Sequence, residues 1–446
     1  MGAIKRSISL VLLLCIINIK LIFEIEKLPF FVKVLLFVVS CLYYLLLLII
    51  PRHLSGQLNK DATPRLQILI GGYEQLLLAV LGLSVEIVFY LFWGKLFTFD
   101  LASLNLIITL VLLATLGWQG VIRMMLLSKQ TSIITKLLLL FFWWLPFINI
   151  VLLIKMSKKV NREYQVESYH LEMAAATIEN KICETRYPIV MVHGIFFRDW
   201  QYFNYWGRIP KALLNHGATV FYGKQQSSLP IAESAMELKE QIKILLAATG
   251  AKKVNIIAHS KGGLDSRYAI SCLEMAPYIA SLTTINTPHR GCLWADKILK
   301  VVPTFIVRFI GNRYNSIFKK LGDKNPNFYD SIYDLTSQKS ESFNELVLDQ
   351  PGVYYQSYMS KMKKTSSAPF PLNATNLLIK LLQGENDGLV PVTSGSWGNY
   401  LGLLTATKKR GISHGDMIDL NRENIEGFDV RQFYIDLIVE LRQKGF

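Results

Sequence analysis

The chain has few charged residues, which make up 18% of its 446 positions, whereas apolar residues make up 51%. Such a composition excludes a disordered chain, and the charged fraction is below the roughly one quarter of an ordinary soluble domain. The five cysteines have no CxxC spacing, which argues against a zinc site and against a disulfide framework. We therefore expect two or three folded domains, part of which lies in lipid.

The net charge of +15 is distributed unevenly along the chain. Residues 1–162 hold 16 basic and 6 acidic residues, so +10 of the excess lies in the first third of the sequence. A basic excess on a soluble domain would indicate nucleic-acid binding. Here it flanks apolar segments, where it sets membrane topology and contacts lipid headgroups. We therefore predict membrane lipids as partners and exclude nucleic acid.

Residues 1–155 consist of apolar segments separated by charges. A helix needs about 20 apolar residues to cross a bilayer, because its backbone polar groups must be satisfied within the segment. The region is thus predicted to be an α-helical transmembrane bundle of four to five spans, of which the first is the shortest and contains Asn18 and Lys20. The predicted spans are about 8–23, 30–50, 68–93, 102–122 and 134–154.

The orientation of the bundle follows from Lys and Arg in its short loops. With five spans, the more basic side is cytoplasmic, and the C-terminal domain lies outside the cytoplasm. A basic cluster at 155–162, directly after the last span, favours the opposite orientation. A bundle of four spans instead of five would also reverse the predicted side of the C-terminal domain.

The composition changes at about residue 156. Residues 156–184 are charged and have a helical pattern, so we predict a linker or stalk. From 185 to 446 strand and helix patterns alternate, which is typical of βαβ units and predicts an α/β domain with a mostly parallel central sheet. The predicted strands are 187–193, 218–223, 253–260 and 279–288, and the predicted helices are 211–217, 233–250 and 261–274.

A candidate nucleophile, Ser260, lies between a predicted strand and a predicted helix. Ala258 and Gly262, two positions before and after it, are small enough for the sharp turn of a nucleophile elbow. The first position departs from the G-x-S-x-G pattern by one methyl group. The alternative is that Ser260 caps helix 261–274 and has no chemical role.

A serine nucleophile needs a histidine base and a carboxylate that orients it, and in this kind of sheet their chain order is serine, acid, histidine. His414 is the one downstream histidine that lies beyond a plausible acid. Asp387 follows the apolar run 376–382, which we predict to be a late core strand. Strand-end loops are where an open α/β sheet places its site. Glu385 is the alternative acid.

An oxyanion hole requires backbone N–H groups directed at the developing negative charge. We expect one from Lys261, which follows the nucleophile, and one from Ile195 in the loop after the first strand. Gly194 would let this backbone approach the site closely. We interpret His193 as a residue that orients the loop.

These motifs together resemble the bacterial triacylglycerol lipases of the α/β-hydrolase fold. The resemblance covers residues 185–292 continuously and 376–420 in patches. It implies Ser260 as nucleophile, Asp387 as acid, His414 as base, and Ile195 and Lys261 as oxyanion donors. The first three residues would form the triad of a carboxylic ester hydrolase, and the resemblance to bacterial enzymes implies the plasma membrane of a bacterium as the location.

The same family often binds a structural calcium ion near the histidine loop. Asp416 matches one ligand, but no acidic residue between Pro351 and Gln383 supplies the second. Calcium usually needs more than one carboxylate. The resemblance therefore implies no required cofactor, with Asp416 as the candidate ligand should calcium bind.

An insertion at about 293–345 contains apolar residues that alternate with basic ones. A basic amphipathic segment is typical of a membrane surface, and in lipases this position holds the lid. Ordinary packing helices are the alternative.

We therefore predict a membrane-anchored serine ester hydrolase that cleaves acylglycerols or other lipid esters through an acyl-enzyme on Ser260. A lipid acyltransferase that uses the same triad is the first alternative. The second is a non-catalytic membrane protein with a hydrolase-like binding domain.

Overall fold

The computed structural model describes residues 2–50, 62–177, 180–195, 204–226, 228–320, 322–407 and 409–446. The chain forms two compact units, Met1–Ala175 and Ala176–Phe446. The division between them falls within the predicted linker 156–184. The first unit is helical and the second combines a sheet with helices.

The first unit contains seven described helices. They are α1 (Gly2–Ile17), α2 (Ile19–Phe23), α3 (Phe30–Ile49), α4 (Pro64–Trp93), α5 (Phe99–Leu127), α6 (Ile133–Phe141) and α7 (Pro146–Thr177). Three of them, α3, α4 and α5, are long and apolar enough to cross a membrane. The predicted apolar helical region at the N-terminus is therefore confirmed.

The first and fifth predicted spans differ from the structure. Residues 8–23 fall on α1 and α2, which meet at Asn18. The prediction of one helix over 134–154 is wrong, because Phe142–Leu145 separate α6 from α7. Pro146 explains the break: proline disfavours helical backbone at the residue before it and fits the first position of a new helix. Helix α7 then continues through the charged residues predicted as a stalk.

The second unit is built on six parallel strands in the order β2-β1-β3-β4-β5-β6. The strands are β1 (Ile189–Val192), β2 (Val220–Tyr222), β3 (Val254–His259), β4 (Ile279–Ile285), β5 (Tyr354–Ser360) and β6 (Asn399–Leu404). The four strands predicted from the sequence are confirmed within a few residues. Strands β5 and β6 were not predicted.

Ten helices are described around this sheet. They are α8 (Ile209–Asn215), α9 (Ile231–Thr249), α10 (Lys261–Cys272), α11 (Leu293–Val301), α12 (Thr304–Lys320), α13 (Phe328–Tyr333), α14 (Ser337–Leu346), α15 (Leu372–Gln383), α16 (Val392–Gly395) and α17 (Val430–Gln443). The strand predicted at 376–382 is wrong, since these residues belong to α15. Asn376 and Ile379 are buried while Leu377 and Leu381 are exposed, and this spacing of three residues between buried positions is typical of a helix.

Both faces of the sheet are covered, as its parallel strands require. Along β1, Ile189 and Met191 belong to a buried cluster that also includes Trp206, before α8, and Tyr434, on α17. The alternate residues, Val190 and Val192, belong to a second cluster with residues of α9 and α10. The strand is thus fully buried, and its carboxyl end meets those of β3 and β4 at one edge, where open α/β sheets place their sites.

Leu238 and Met236 on α9 offer a matched test of this packing. Leu238 is fully buried, whereas Met236 is 51% exposed. We expect Leu238→Ala to lower the free energy of unfolding of the second unit by about 2–5 kcal/mol, because it leaves a cavity. Met236→Ala should change it by less than about 0.5 kcal/mol. Calorimetry of the full chain in detergent measures both, and equal effects would contradict this packing.

Candidate active site

Ser260 stands at the turn between β3 and α10 in a strained backbone conformation. Its φ of 56° and ψ of −134° are rare for a residue with a side chain. A Cβ on Gly262 would clash with the carbonyl oxygen of His193, so the position two residues later requires glycine. Ser260 makes no side-chain hydrogen bond to the start of α10. The capping alternative is therefore wrong, and the half-buried hydroxyl faces a cavity.

His414 and Asp387 form a short hydrogen bond of 2.6 Å between Nδ1 and Oδ2. The imidazole is 7% exposed and the carboxylate is fully buried. Because Nδ1–H donates to the carboxylate, the neutral ring presents Nε2 as an acceptor. A second bond, from the backbone N–H of His414 to the carbonyl oxygen of Asp387 at 2.8 Å, joins their two loops.

The second carboxylate oxygen of Asp387 is also fully engaged. Oδ1 accepts the backbone N–H groups of Leu389 at 2.8 Å and Val390 at 2.7 Å. Hydrogen bonds of this kind stabilise the charged form of a buried carboxylate and fix its orientation. Two backbone N–H groups and the His414 ring thus hold the Asp387 carboxylate in one orientation.

The loop after β1 approaches Ser260 closely. A Cβ on Gly194 would lie 2.7 Å from the Ser260 Cβ, so only glycine fits there. The N–H of Gly194 donates to the Tyr205 hydroxyl at 3.0 Å, and this hydroxyl is also hydrogen-bonded to Nδ1 of His259 at 2.8 Å. Ile195, the next residue, lines the same cavity as Ser260 and His414. The loop is thus held where its backbone faces the serine.

His193 has a supporting position in this loop. Its two ring nitrogens lie 2.7 Å from the carbonyl oxygen of Gly194 and 2.9 Å from that of Gln225. The Gln225 side chain donates in return to the carbonyl oxygen of His193 at 3.0 Å. Through these contacts His193 and Gln225 link the loop after β1 to the segment after β2.

The side chain of Lys261 is buried and paired. The ammonium is buried and bonded to Asp265 at 2.6 Å and to the Ser234 hydroxyl at 2.9 Å. Burial raises the pKa of the Asp265 carboxyl to about 7, although Lys261 opposes the shift. The first turn of α10 leaves backbone N–H groups without helical partners, and the N–H of Lys261 is one of them.

Two residues that support the site were missed in the sequence. The His259 ring is buried with its centroid 4.4 Å from that of His414, and burial, followed by the proximity of His414, keeps its pKa well below the ordinary value. Its neutral ring therefore packs against the His414 ring without adding a charge. Tyr205 carries no motif at all. His259, which directly precedes Ser260 in the elbow pattern, was the one residue whose role could have been suspected from the sequence.

The alternative acid and the candidate calcium ligand lie in other arrangements. Glu385 is exposed and forms an ion pair of 2.6 Å with Lys361. Asp416 accepts hydrogen bonds from Arg410 at 3.1 and 3.2 Å and from the N–H of Ser413 at 2.8 Å. Among the residues that the structure describes, no three His, Cys, Asp or Glu side chains are grouped to hold a metal ion. The donor set therefore does not fit calcium, and an ion pair with Arg410 anchors the histidine loop.

An apolar cavity of about 680 Å³ opens at Ser260. Its walls come from the elbow, from the predicted insertion and from residues 369–375 at the start of α15. Helices α11 to α14 form this insertion, with Val307 and Ile310 of α12 in the cavity wall. Phe305 and Phe309 of the same helix are 72% and 59% exposed. One helix thus lines the cavity and presents aromatic side chains outward.

Comparisons with known proteins agree with this fold. Residues 187–397 match the family described as "alpha/beta hydrolase fold". The chain is 28% identical over 265 residues to Triacylglycerol lipase 2 of Saccharomyces cerevisiae, which covers 54% of this chain and 74% of the yeast protein. It is 39% identical over 157 residues to a triacylglycerol lipase of Burkholderia plantarii, which covers 33% of this chain and 43% of that protein.

The crystal structure of Staphylococcus hyicus lipase aligns with a TM-score of 0.44 and 18% identity, over 58% of this chain and 97% of that one. The sequence matches cover about three quarters of the yeast lipase and less than half of the Burkholderia plantarii lipase.

The Asp387–His414 bond can be tested by the reactivity of Ser260 toward a fluorophosphonate probe. Asp387→Asn replaces the acceptor that fixes the histidine tautomer, so we expect labelling to slow by on the order of 10³–10⁴-fold. Glu385→Gln is the matched control and should label at the parent rate. In-gel fluorescence over time measures both. Slow labelling of the Glu385 variant and normal labelling of the Asp387 variant would show that Glu385, and not Asp387, is the acid that orients His414.

Tyr205→Phe tests the support of the loop at Gly194. The variant keeps the ring and removes the hydroxyl that accepts the Gly194 N–H. We expect the labelling rate to fall roughly tenfold, as one lost hydrogen bond of about 1.4 kcal/mol implies. An unchanged rate at an unchanged melting temperature would show that the hydroxyl does not position the loop.

Proposed function

Because the chain belongs to the lipase family with an α/β-hydrolase fold, we propose that it is a membrane-anchored serine ester hydrolase that cleaves acylglycerols or other lipid esters. The main support is one juxtaposition: Ser260, in its strained turn, and His414, bonded to Asp387, line the same apolar cavity. An apolar cavity of about 680 Å³ with few polar groups suits the acyl chain of a lipid.

The proposed reaction begins with proton transfer from the Ser260 hydroxyl to Nε2 of His414. The serine oxygen forms a bond to the ester carbonyl carbon, and the N–H groups of Ile195 and Lys261 stabilise the oxyanion. His414 then donates its proton to the departing alcohol, which leaves an acyl-enzyme on Ser260. Water activated by His414 attacks this acyl-enzyme and releases the fatty acid, and the serine regains its proton.

Asp387 acts through His414 in this scheme. Its carboxylate holds the imidazole in the tautomer that accepts the serine proton and stabilises the imidazolium that follows. The two backbone N–H groups on Oδ1 leave Oδ2 as the acceptor for the imidazole. The acid is therefore fixed before substrate binds, which lowers the reorganisation that the reaction requires.

Membrane anchoring and the exposed face of α12 support a lipid substrate. The three long apolar helices of the first unit are suited to a bilayer. Helix α12 combines exposed aromatic residues with a basic C-terminal turn, Lys319 and Lys320. Such a helix binds an anionic lipid surface. We infer that this insertion acts as the lid, and that lipid contact opens the cavity beneath it.

Ser260→Ala provides the direct test of this function. The variant lacks the nucleophile, so we expect hydrolysis of a medium-chain p-nitrophenyl ester to fall to the background rate. Ser342→Ala, at an exposed serine on α14, is the control and should retain full activity. Spectrophotometric release of p-nitrophenol by the full chain in detergent measures both. Activity that survives in the Ser260 variant would overturn the proposal, and a parent protein that neither hydrolyses esters nor reacts with a fluorophosphonate would indicate a binding domain.

Product analysis distinguishes hydrolysis from acyl transfer. With an acylglycerol substrate and an added alcohol, an ester hydrolase yields mainly free fatty acid. Preferential formation of the new ester would identify a lipid acyltransferase that uses the same acyl-enzyme.

A further inference from the structure

The path of the chain through the first unit determines which side of the membrane the hydrolase unit occupies. Five spans predict an extracytoplasmic enzyme, and an even number predicts a cytoplasmic one. The described contacts allow the crossings to be counted helix by helix.

Helices α1 and α2 together form the first crossing. Helical hydrogen bonds continue across their junction, from Asn18 N–H to the Leu14 carbonyl at 3.1 Å and from Ile22 N–H to the Asn18 carbonyl at 3.0 Å. Residues 2–23 therefore make a nearly continuous helix of about 33 Å, which is sufficient for a core of about 30 Å.

This first helix runs parallel to α4. Arg6 forms an ion pair with Glu74 at 2.6 Å, and Asn18, twelve residues later, donates to Glu86, also twelve residues later. Both helices thus cross the same layer in the same direction. The chain crosses next through α3, α4 and α5. After four crossings it is again on the side where it started.

The end of α5 lies beside the beginning of α4. Arg65, the second residue of α4, donates to the carbonyl oxygen of Leu127, the last residue of α5, at 2.8 Å. This edge marks the side where the fourth crossing finishes.

Helices α6 and α7 form a hairpin that returns to this edge. Glu163 of α7 forms an ion pair of 2.6 Å with Arg65, and it accepts the Ser128 hydroxyl at 2.8 Å and the backbone N–H groups of Lys129 and Gln130 at 3.2 Å. Residue 163 therefore lies level with the residues that precede α6. Within the same buried cluster, Met156 and Val160 pack near Leu66.

The tip of the hairpin falls short of the far ends of α4 and α5. Trp143 and Pro146 line an apolar groove whose α4 residues end at Leu83 and whose α5 residues begin at Leu110. Helix α4 continues ten residues further to Trp93, about 15 Å. At the break, the Asn149 side chain donates to the Phe142 carbonyl at 2.9 Å. Non-helical backbone at membrane depth requires such internal partners. The hairpin thus enters and leaves on one side.

The charges agree with this path. Of the Lys and Arg residues described up to Arg162, the majority lie at the end of the bundle where the chain begins and where α7 leaves it. These are Lys5, Arg6, Arg65, Arg123, Lys129, Lys136, Lys155, Lys158, Lys159 and Arg162, against Lys20, Lys27, Lys33 and Lys95 at the other end. Short cytoplasmic loops carry this excess of basic residues. The cluster at 155–162, which contradicted a five-span topology, is now on the expected side.

We propose that α6–α7 is a re-entrant hairpin, so that the hydrolase unit faces the cytoplasm and takes its ester substrates from the cytoplasmic leaflet. The topology stands on the contacts of the first unit alone, and the substrate source rests on the proposed function. This assignment replaces the extracytoplasmic orientation expected from five spans.

Labelling of single added cysteines in intact cells tests the topology independently of catalysis. Glu240→Cys places a thiol on an exposed position of α9, and Glu26→Cys places one between α2 and α3 at the opposite end of the bundle. The parent chain, with its five natural cysteines, gives the background for a membrane-impermeant maleimide. We expect Glu26→Cys to label in intact cells and Glu240→Cys to label only after permeabilisation. A Ser260→Ala version of each should behave identically.

Labelling of both positions in intact cells would show that the hairpin crosses the membrane, and labelling of Glu240→Cys alone would show an inverted bundle. Either result overturns the topology. Permeant and impermeant fluorophosphonates address the substrate side separately: only the permeant probe should label Ser260 in intact cells. If neither probe labels Ser260 even in detergent, the proposed function fails while the cysteine result for topology still stands.

Discussion

The site depends on a steric constraint at the carboxyl end of β3, where three strand-end loops meet around Ser260. Gly262 lies against the backbone of His193, and a Cβ on Gly263 would clash with Thr287, whose hydroxyl donates to the Ser260 carbonyl at 2.8 Å. The loops after β1 and β4 are therefore locked against the elbow by contacts that no larger residue permits. The strained φ of Ser260 persists because the surrounding sheet determines it, as is usual for strain at functional sites.

Buried charge near the elbow is compensated locally, which keeps the site rigid. Asp387 is satisfied by two backbone N–H groups and His414, Lys261 by Asp265 and Ser234, and Asp416 by Arg410 and Ser413. An uncompensated buried charge would cost several kcal/mol. Each group instead fixes one loop: the acid loop, the start of α10 or the histidine loop. The neutral His259 fills the space behind His414 without adding charge.

The sequence predicted the structure correctly where a residue pattern is compatible with a single local structure. Buried strands β1, β3 and β4 appear as short β-branched runs, and glycine at 194 and 262 is required by close backbone approach. The predictions were wrong where the same apolar pattern is compatible with two different structures. The apolar run at 376–382 is a surface helix with one buried side, and the apolar stretch at 134–154 is broken by Pro146. Tyr205 could not be predicted, because its role depends on contacts with Gly194 and His259, far apart in sequence.

Hydrophobicity alone counts apolar segments, whereas polar contacts inside the bundle determine how those segments are arranged. Arg6–Glu74 and Asn18–Glu86 fix the direction of the first helix, and Arg65–Glu163 fixes where α7 leaves the bundle. Ionisable groups are costly in lipid unless they are paired, so each contact strongly constrains the register of the helices it joins. The apolar stretch 134–154 is long enough for a span, but Pro146 divides it into two helices. Glu163, further along α7, then binds Arg65 at the edge from which α6 started, and the two helices form a hairpin.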